Sequence, residues 1–289
     1  MLDSLFEKIE QWIRSLLTGA VTSNLTNLFD SVNEKTQEIT TQVGQTPEGW
    51  NSSIFSMIRQ LSDSVIIPIA GMIITFVLCY ELISMVTSSN NMHEIDTFMF
   101  FKYFIKMWVA VYIVSHTFDI VMAVFDVGQH LVNAASGIVG STKVDITSLT
   151  SQMETLMKTM EIGELLLLTL ETFLVSFSMK AISLVITVIA YGRMIEIYLY
   201  SSVSAVPLAT MSNREWGQIG NNYLRGLIAL AFQGFLMMVC IAIYSVLVSN
   251  MTIEANIHTA IFSVTAYTVL LCFALIKTGS LSKSIFNAH

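Results

Sequence analysis

Charge is scarce in this sequence. Asp, Glu, Lys and Arg together make up 12% of 289 residues, where a soluble domain carries about 25%. With 54% hydrophobic residues and a mean hydropathy of +0.66, there is too little polar surface to clothe a water-soluble globule. The same figures exclude a disordered chain, which cannot be this apolar. Proline occurs three times, so little interrupts long helices. The three cysteines, Cys79, Cys240 and Cys272, all fall inside apolar runs and read as small core residues rather than disulfides or metal ligands. The fourteen Lys and Arg residues are spread thinly, with no cluster fit to grip phosphates. HExxH, GxSxG, GxxxxGK[ST] and CxxC are all missing, and neither an enzyme nor a cofactor is expected. His93 and Glu94 are adjacent, the wrong spacing for a helical metal site.

Long apolar runs are what the chain does have. They are continuous rather than alternating, which argues against barrel strands and for an all-α, polytopic helical membrane protein. Five spans are expected, near 65–85, 104–125, 165–190, 227–248 and 257–276. Residues 127–163 form an outer loop containing a short amphipathic helix with Leu149, Met153, Leu156 and Met160 on one side. The apolar stretch Leu165–Met211 is longer than one bilayer needs. Its second part, 191–211, is expected to continue the helix inward or to dip back into the membrane before Pro207.

Residues 1–63 divide from this transmembrane region 64–289 by their polarity. At the start, Leu2, Leu5, Phe6, Ile9, Trp12, Ile13, Leu16 and Leu17 recur at helical spacing opposite Asp3, Glu7, Lys8, Glu10 and Arg14. Such a helix suits a membrane interface, a partner helix or the protein's own surface. The opening MLDSLFEKIE is acidic where a cleavable signal peptide is basic. TPEGWN at 46–51 signals a turn before the next helix.

Basic residues set the orientation. With the N-terminus outside, the inner side receives Lys102, Arg193, Arg214, Arg225, Lys277 and Lys283. The outer side receives Arg59, Lys143 and Lys158 near the spans. This places 191–225 and the C-terminus in the cytoplasm and residues 1–63 outside.

Ionisable groups within spans are costly and therefore mark candidate sites. Tyr112, His116, Asp119, Asp126 and His130 share one helical face. Such a stripe lines a hydrated passage or zips against another helix. In the zipper, Asp119 meets a cation such as Lys180 or Arg193. Glu81 sits near the inner end of the first span. Glu171 and Lys180, nine apart, face opposite ways and do not pair, whereas Arg193 and Glu196 are spaced for a local ion pair. Gln233 is the polar group of the fourth span, with Gly226 on its face allowing close helix approach.

Several segments occur in a telling order: TPEGWN at 46–51, VIIPIAG at 65–71, YELI at 80–83 and NNMHE at 90–94. They are followed by RMIEIYLYSSVSAVPLAT at 193–210, REWGQIG at 214–220 and LRGLIALAFQGFLMMVCIAIYS at 224–245. Together they resemble the TrbL-like membrane proteins of conjugative type IV secretion systems, most closely the form in Gram-positive conjugative elements. The resemblance implies a mating-channel subunit in the cytoplasmic membrane, with an external N-terminus and about five spans. It further implies a homo-oligomer beside the secretion ATPases and the coupling protein, with transferred single-stranded DNA as a transient contact. It carries over no catalytic residue. The runner-up, a small-solute or ion transporter, would ordinarily show paired broken spans in an internal repeat, and none is visible. A non-conducting membrane scaffold is the third alternative.

Overall fold

The computed structural model describes residues 2–88, 97–139, 147–250 and 257–288. The NNMHE segment with His93 and Glu94, Lys143, and the loop residues 251–256 lie outside the described residues. The fold is all-α, as expected, and no strand occurs among the described residues. In chain order the helices are α1 (Leu2–Val43), α2 (Pro47–Trp50), α3 (Ser52–Leu61), α4 (Ile67–Ser88) and α5 (Thr97–Ser115). They continue with α6 (Thr117–Val139), α7 (Thr147–Met157), α8 (Ile162–Val203), α9 (Ala205–Ala209), α10 (Gly217–Ser249) and α11 (Ile257–Ile285). Five helical stretches are long and apolar enough to cross a membrane: Ser52–Thr87, Phe98–Ser115, Ile162–Val203, Gly217–Ser249 and Ile257–Ile285.

Local sequence explains the breaks between them. Thr46 caps α2 by accepting the Gly49 N–H at 2.9 Å, and Asn51 caps α3 by accepting the Ile54 N–H at 3.0 Å. Pro47 occupies the first turn of α2, where its missing N–H costs nothing. Between α3 and α4 the chain makes a π-helical turn over Ser62–Ile66, with the Ile67 N–H reaching the Ser62 carbonyl. Pro68 lies just beyond and has no N–H to return to Ser64, so the register slips by one residue. At Thr117 the side-chain hydroxyl donates to the carbonyls of Ile113 and Val114, which bends helices. There the expected second span divides into α5 and α6.

Two segments are more helical than the sequence suggests. The expected outer loop 127–163 opens with helix, because α6 runs to Val139. Val121, Phe125, Gly128 and Val132 repeat at four, three and four residues, and all four are buried. The expected short helix is present as α7, where Met153 and Met157 are buried. At the other end of the chain, the amphipathic segment and the polar stretch after it are one 42-residue helix. Leu5, Phe6, Ile9, Trp12 and Leu16 stay exposed, so that face does not pack on its own chain.

The chain packs as two units. One comprises Met1–Val43, Ala134–Ala190 and Met237–Lys277. Its core residues recur three or four apart, a mean period near the 3.5 of coiled-coil seams. Leu165, Leu168, Thr172, Val175, Met179, Ser183 and Ile186 form the seam of α8, and Ile257, Ile261, Val264, Thr268, Leu271 and Leu275 that of α11. Polar pairs pin the seams. The Asn24 amide donates to the Thr172 hydroxyl at 3.2 Å, the Tyr244 and Thr268 hydroxyls bond at 2.9 Å, and the Arg14 guanidinium donates to the Met160 carbonyl.

The other unit comprises Gly44–Asn133, Tyr191–Leu236 and Thr278–His289. Ala70, Ile74 and Leu78 of α4 pack with Tyr103, Ala110 and Val114 of α5 and with Ala205 and Ala209 of α9. A second cluster joins Val121 and Phe125 of α6, Met194 and Ile197 of α8, and Leu227, Leu230 and Ala231 of α10. At Gly128 a Cβ would stand 2.9 Å from both the Cβ and the carbonyl oxygen of Ala231, so α6 and α10 touch backbone to backbone. This packing partition and the expected membrane partition at residue 63 are different divisions of the chain.

Candidate functional site

The polar residues of the second unit gather at three places. At the first, α3 meets α6. The Arg59 guanidinium donates to Asp119 at 3.0 Å and lies 5.7 Å above the Phe118 ring. Asp119 therefore pairs with Arg59, not with Lys180 or Arg193, and both side chains of the pair are about half exposed. The expected stripe does not act as one element. His116 stacks on Tyr112 at the end of α5, and Asp126 and His130 are exposed on α6.

Beside this pair, α2 docks on α8. The Tyr198 hydroxyl donates to the Pro47 carbonyl at 2.6 Å, and Trp50 meets the rings of Tyr191 and Tyr198 edge-on and tilted. Residues in contact cannot stand on opposite sides of a hydrocarbon layer about 30 Å thick. The expectation that TPEGWN lies outside while everything from Tyr191 lies inside is therefore corrected. Helix α8 continues to Val203, and after a turn at Ser204 the short helix α9 carries Pro207.

The second gathering holds the turn between α9 and α10. Glu81 accepts from the Lys106 ammonium at 2.6 Å and from the Asn213 amide at 3.4 Å. The Asn213 side-chain oxygen turns the other way and accepts the N–H groups of Glu215 and Trp216, at 2.7 and 3.0 Å. The Tyr80 hydroxyl donates to Glu215, and Trp216 stacks on Phe76. Asn213, Glu215 and Trp216 thus fasten the turn to α4, and Lys106 ties Glu81 to α5.

The third gathering surrounds Arg193. Its side chain is 6% exposed, and its Nε has no hydrogen-bond partner. The guanidinium lies over Gly234, where a Cβ would stand 2.8 Å from Nη2. The expected Arg193–Glu196 pair does not close to ion-pair distance, and Glu196 takes the Lys283 ammonium at 3.2 Å. Gln233 donates to the Thr278 hydroxyl at 3.5 Å. Gly226 meets the Tyr200 ring, not a helix backbone. The close helix approach expected there occurs instead at Gly128.

In the first unit, Glu171 pairs with His258 and leaves its other carboxylate oxygen buried without a partner. Lys180 is exposed. No group of three His, Cys, Asp or Glu poised for a metal occurs among the described residues.

A long α8, an apolar hairpin of α4 and α5, and a turn clasped to that hairpin make a multi-pass membrane architecture. The family model described as TrbL/VirB6 plasmid conjugal transfer like protein matches residues 32–205. The chain belongs to the TrbL/VirB6 family. No curated protein and no solved structure matches it. The stretch matched to the TrbL/VirB6 family runs from the second half of α1 to the first residue of α9. It includes Glu81, His116, Asp119, Asp126, Glu171, Lys180, Arg193 and Glu196, and it leaves out Gln233 and the α10–α11 pair.

Most partners were invisible in the sequence of this TrbL/VirB6 protein. Arg59, Asn213, His258 and Lys283 sit 60, 132, 87 and 87 residues from the carboxylates they meet. No helical periodicity links positions so far apart. The one available signal was REWGQIG, whose Glu215 and Trp216 belong to the clasped turn.

Proposed function

We propose that the protein is an integral channel subunit of a conjugative type IV secretion system in the cytoplasmic membrane, where it takes part in DNA and protein transfer between cells. The observation that carries this is the match to the TrbL/VirB6 family over residues 32–205, on a chain with five helices able to cross a membrane. The N-terminus lies outside and the C-terminus in the cytoplasm, with the turn clasped by Glu81 and Asn213 on the inner face. The sparse positive charge suits a conduit that must release phosphates rather than hold them.

Its partners in this role are the secretion ATPases, the coupling protein and further copies of itself, and the transferred strand touches it in transit. The geometry of α8 supports assembly. Exposed apolar side chains extend from Leu166 to Val203, about 56 Å of helix at 1.5 Å per residue. A hydrocarbon layer of about 30 Å, even with a helix tilted by about 40°, covers roughly 40 Å. Protein must cover the remainder.

Deleting the gene should abolish conjugation while leaving growth and membrane potential unchanged, and a plasmid copy should restore transfer. In intact cells K158C should react with an impermeant thiol reagent and S284C should not. Undiminished transfer by the deletion strain would refute the role, and the reverse labelling pattern would refute the orientation.

A further inference from the structure

A half-open cavity of about 550 Å³ lies within the second unit, between the ends of α8, α9, α10 and α11. Its volume falls within the roughly 300–1,000 Å³ of small-ligand clefts. One wall is apolar, made by Leu199, Val203, Pro207 and Ile219. Leu199, Val203 and Ile219 are among the exposed large hydrophobic residues, so this part of the lining continues onto apolar surface. A further part of the wall is fixed. Tyr223 stacks on Tyr200 at 5.7 Å between ring centroids, and its hydroxyl donates to the Tyr200 carbonyl at 2.7 Å. Gly226 keeps this wall open, since a Cβ there would already stand 3.3 Å from the Tyr200 ring. Lys283 lines the cleft and holds Glu196, which is not itself part of the lining, at 3.2 Å, so a cation in the wall has an anion beside it.

We propose that this cleft holds one acyl chain of a zwitterionic membrane phospholipid, with its phosphate at Lys283 and its amine at Glu196. Three features select that occupant. The apolar part of the lining is continuous with exposed apolar surface, which hydrocarbon or protein covers. The neutral Lys283–Glu196 pair complements a zwitterion, whereas a nucleotide or a free phosphate would need positive charge beyond the Lys283 already engaged. The cleft also sits among residues that a multi-pass chain keeps in or near the bilayer, so the ligand is present at high local concentration. The inference goes beyond the transfer role and does not depend on it. It needs only that the protein resides in a membrane.

The test is native mass spectrometry of the full chain, delipidated in mild detergent and titrated with phosphatidylethanolamine. The wild type should retain one lipid to higher collision energy than the rest. Val203→Trp and Leu199→Trp each place an indole in the cleft from an exposed position, so both should lose that adduct, with affinity at least tenfold lower. Val246→Trp, an exposed α10 position outside the cleft, should keep it. Circular dichroism of each variant should match the wild type. Phosphatidylglycerol should bind several-fold more weakly, and phosphoethanolamine without acyl chains should not compete. An equal adduct in V203W and L199W, or no retained lipid in the wild type, would overturn the site. Competition by phosphoethanolamine alone would overturn the acyl-chain assignment, and equal binding of phosphatidylglycerol the zwitterion assignment. None of these results bears on conjugation, so the proposal fails or stands separately from the transfer role.

Discussion

Replacing Asn213 by Asp should destabilise the protein at least as much as replacing it by Ala, although Asp ordinarily caps a helix as well as Asn does. Asn213 is 3% exposed and works in two directions. Its oxygen holds the N–H groups of Glu215 and Trp216, and its amide donates to Glu81. Asn213→Ala removes the cap and the weaker bond to Glu81, together about 1–3 kcal/mol. Asn213→Asp keeps the cap but sets a second carboxylate where the amide stood, 3.4 Å from a Glu81 oxygen. At an effective dielectric of about 20 that repulsion is about 5 kcal/mol. The Lys106 ammonium, 2.6 Å from the other Glu81 oxygen, and the partial exposure of Glu81 bring it to the order of 2–3 kcal/mol. For a chain of this size, Tm should fall by about 4–10 °C, read by size-exclusion chromatography of heated, detergent-solubilised protein. Adding Glu81→Gln to Asn213→Asp should recover most of the loss. An N213D variant as stable as the wild type, or no recovery in the double variant, would refute the idea that Asn213 acts as a donor to Glu81.

Two further substitutions probe the helix contacts. Asp119→Asn breaks an exposed pair with Arg59 and should cost below about 1 kcal/mol, not the roughly 3–5 kcal/mol of a broken buried pair. Immunoblots should therefore show near wild-type abundance, and a marked loss would mean that Asp119 is more deeply engaged than its exposure indicates. Gly128→Ala forces α6 off α10 and should cost about 1–3 kcal/mol in thermal stability. Adding Ala231→Gly should recover only part, because the Ala231 carbonyl remains 2.9 Å from the new Cβ, and full recovery would show that the backbone contact is unimportant.

How much of this was legible in the sequence depended on the range of each interaction. Long apolar runs needed only local composition, so the helices of α4, α8, α10 and α11 could be read directly, as could the turn at TPEGWN. The bend at Thr117 was not legible, because a threonine in an apolar helix is usually silent and its back-bonding depends on local geometry. Nor was the extension of α6 to Val139. Its seam residues are spaced for burial, but hydropathy falls after Phe125, and a fall in hydropathy marks the end of a lipid-facing stretch, not the end of a helix. The ion pairs failed for a different reason. Arg193 and Glu196 have the right spacing on one helix, yet a local pair of that kind is worth only a few tenths of a kcal/mol. Glu196 meets Lys283, arriving from α11, instead.

The seat of Arg193 also has a consequence for biosynthesis. An arginine at the middle of an apolar helix adds about 2.5–3.5 kcal/mol to the cost of leaving the translocon. The glycine that accommodates this one, Gly234, is made 41 residues later. While α8 is emerging, its guanidinium has no place to lie and must stay near water or lipid headgroups, and α8 cannot reach its final position until α10 arrives. Insertion of this chain is thus not a series of independent helices but at least one delayed step, timed by translation. Nascent chains arrested before residue 234 and after it should differ in how far α8 is protected, even though α8 itself is complete in both.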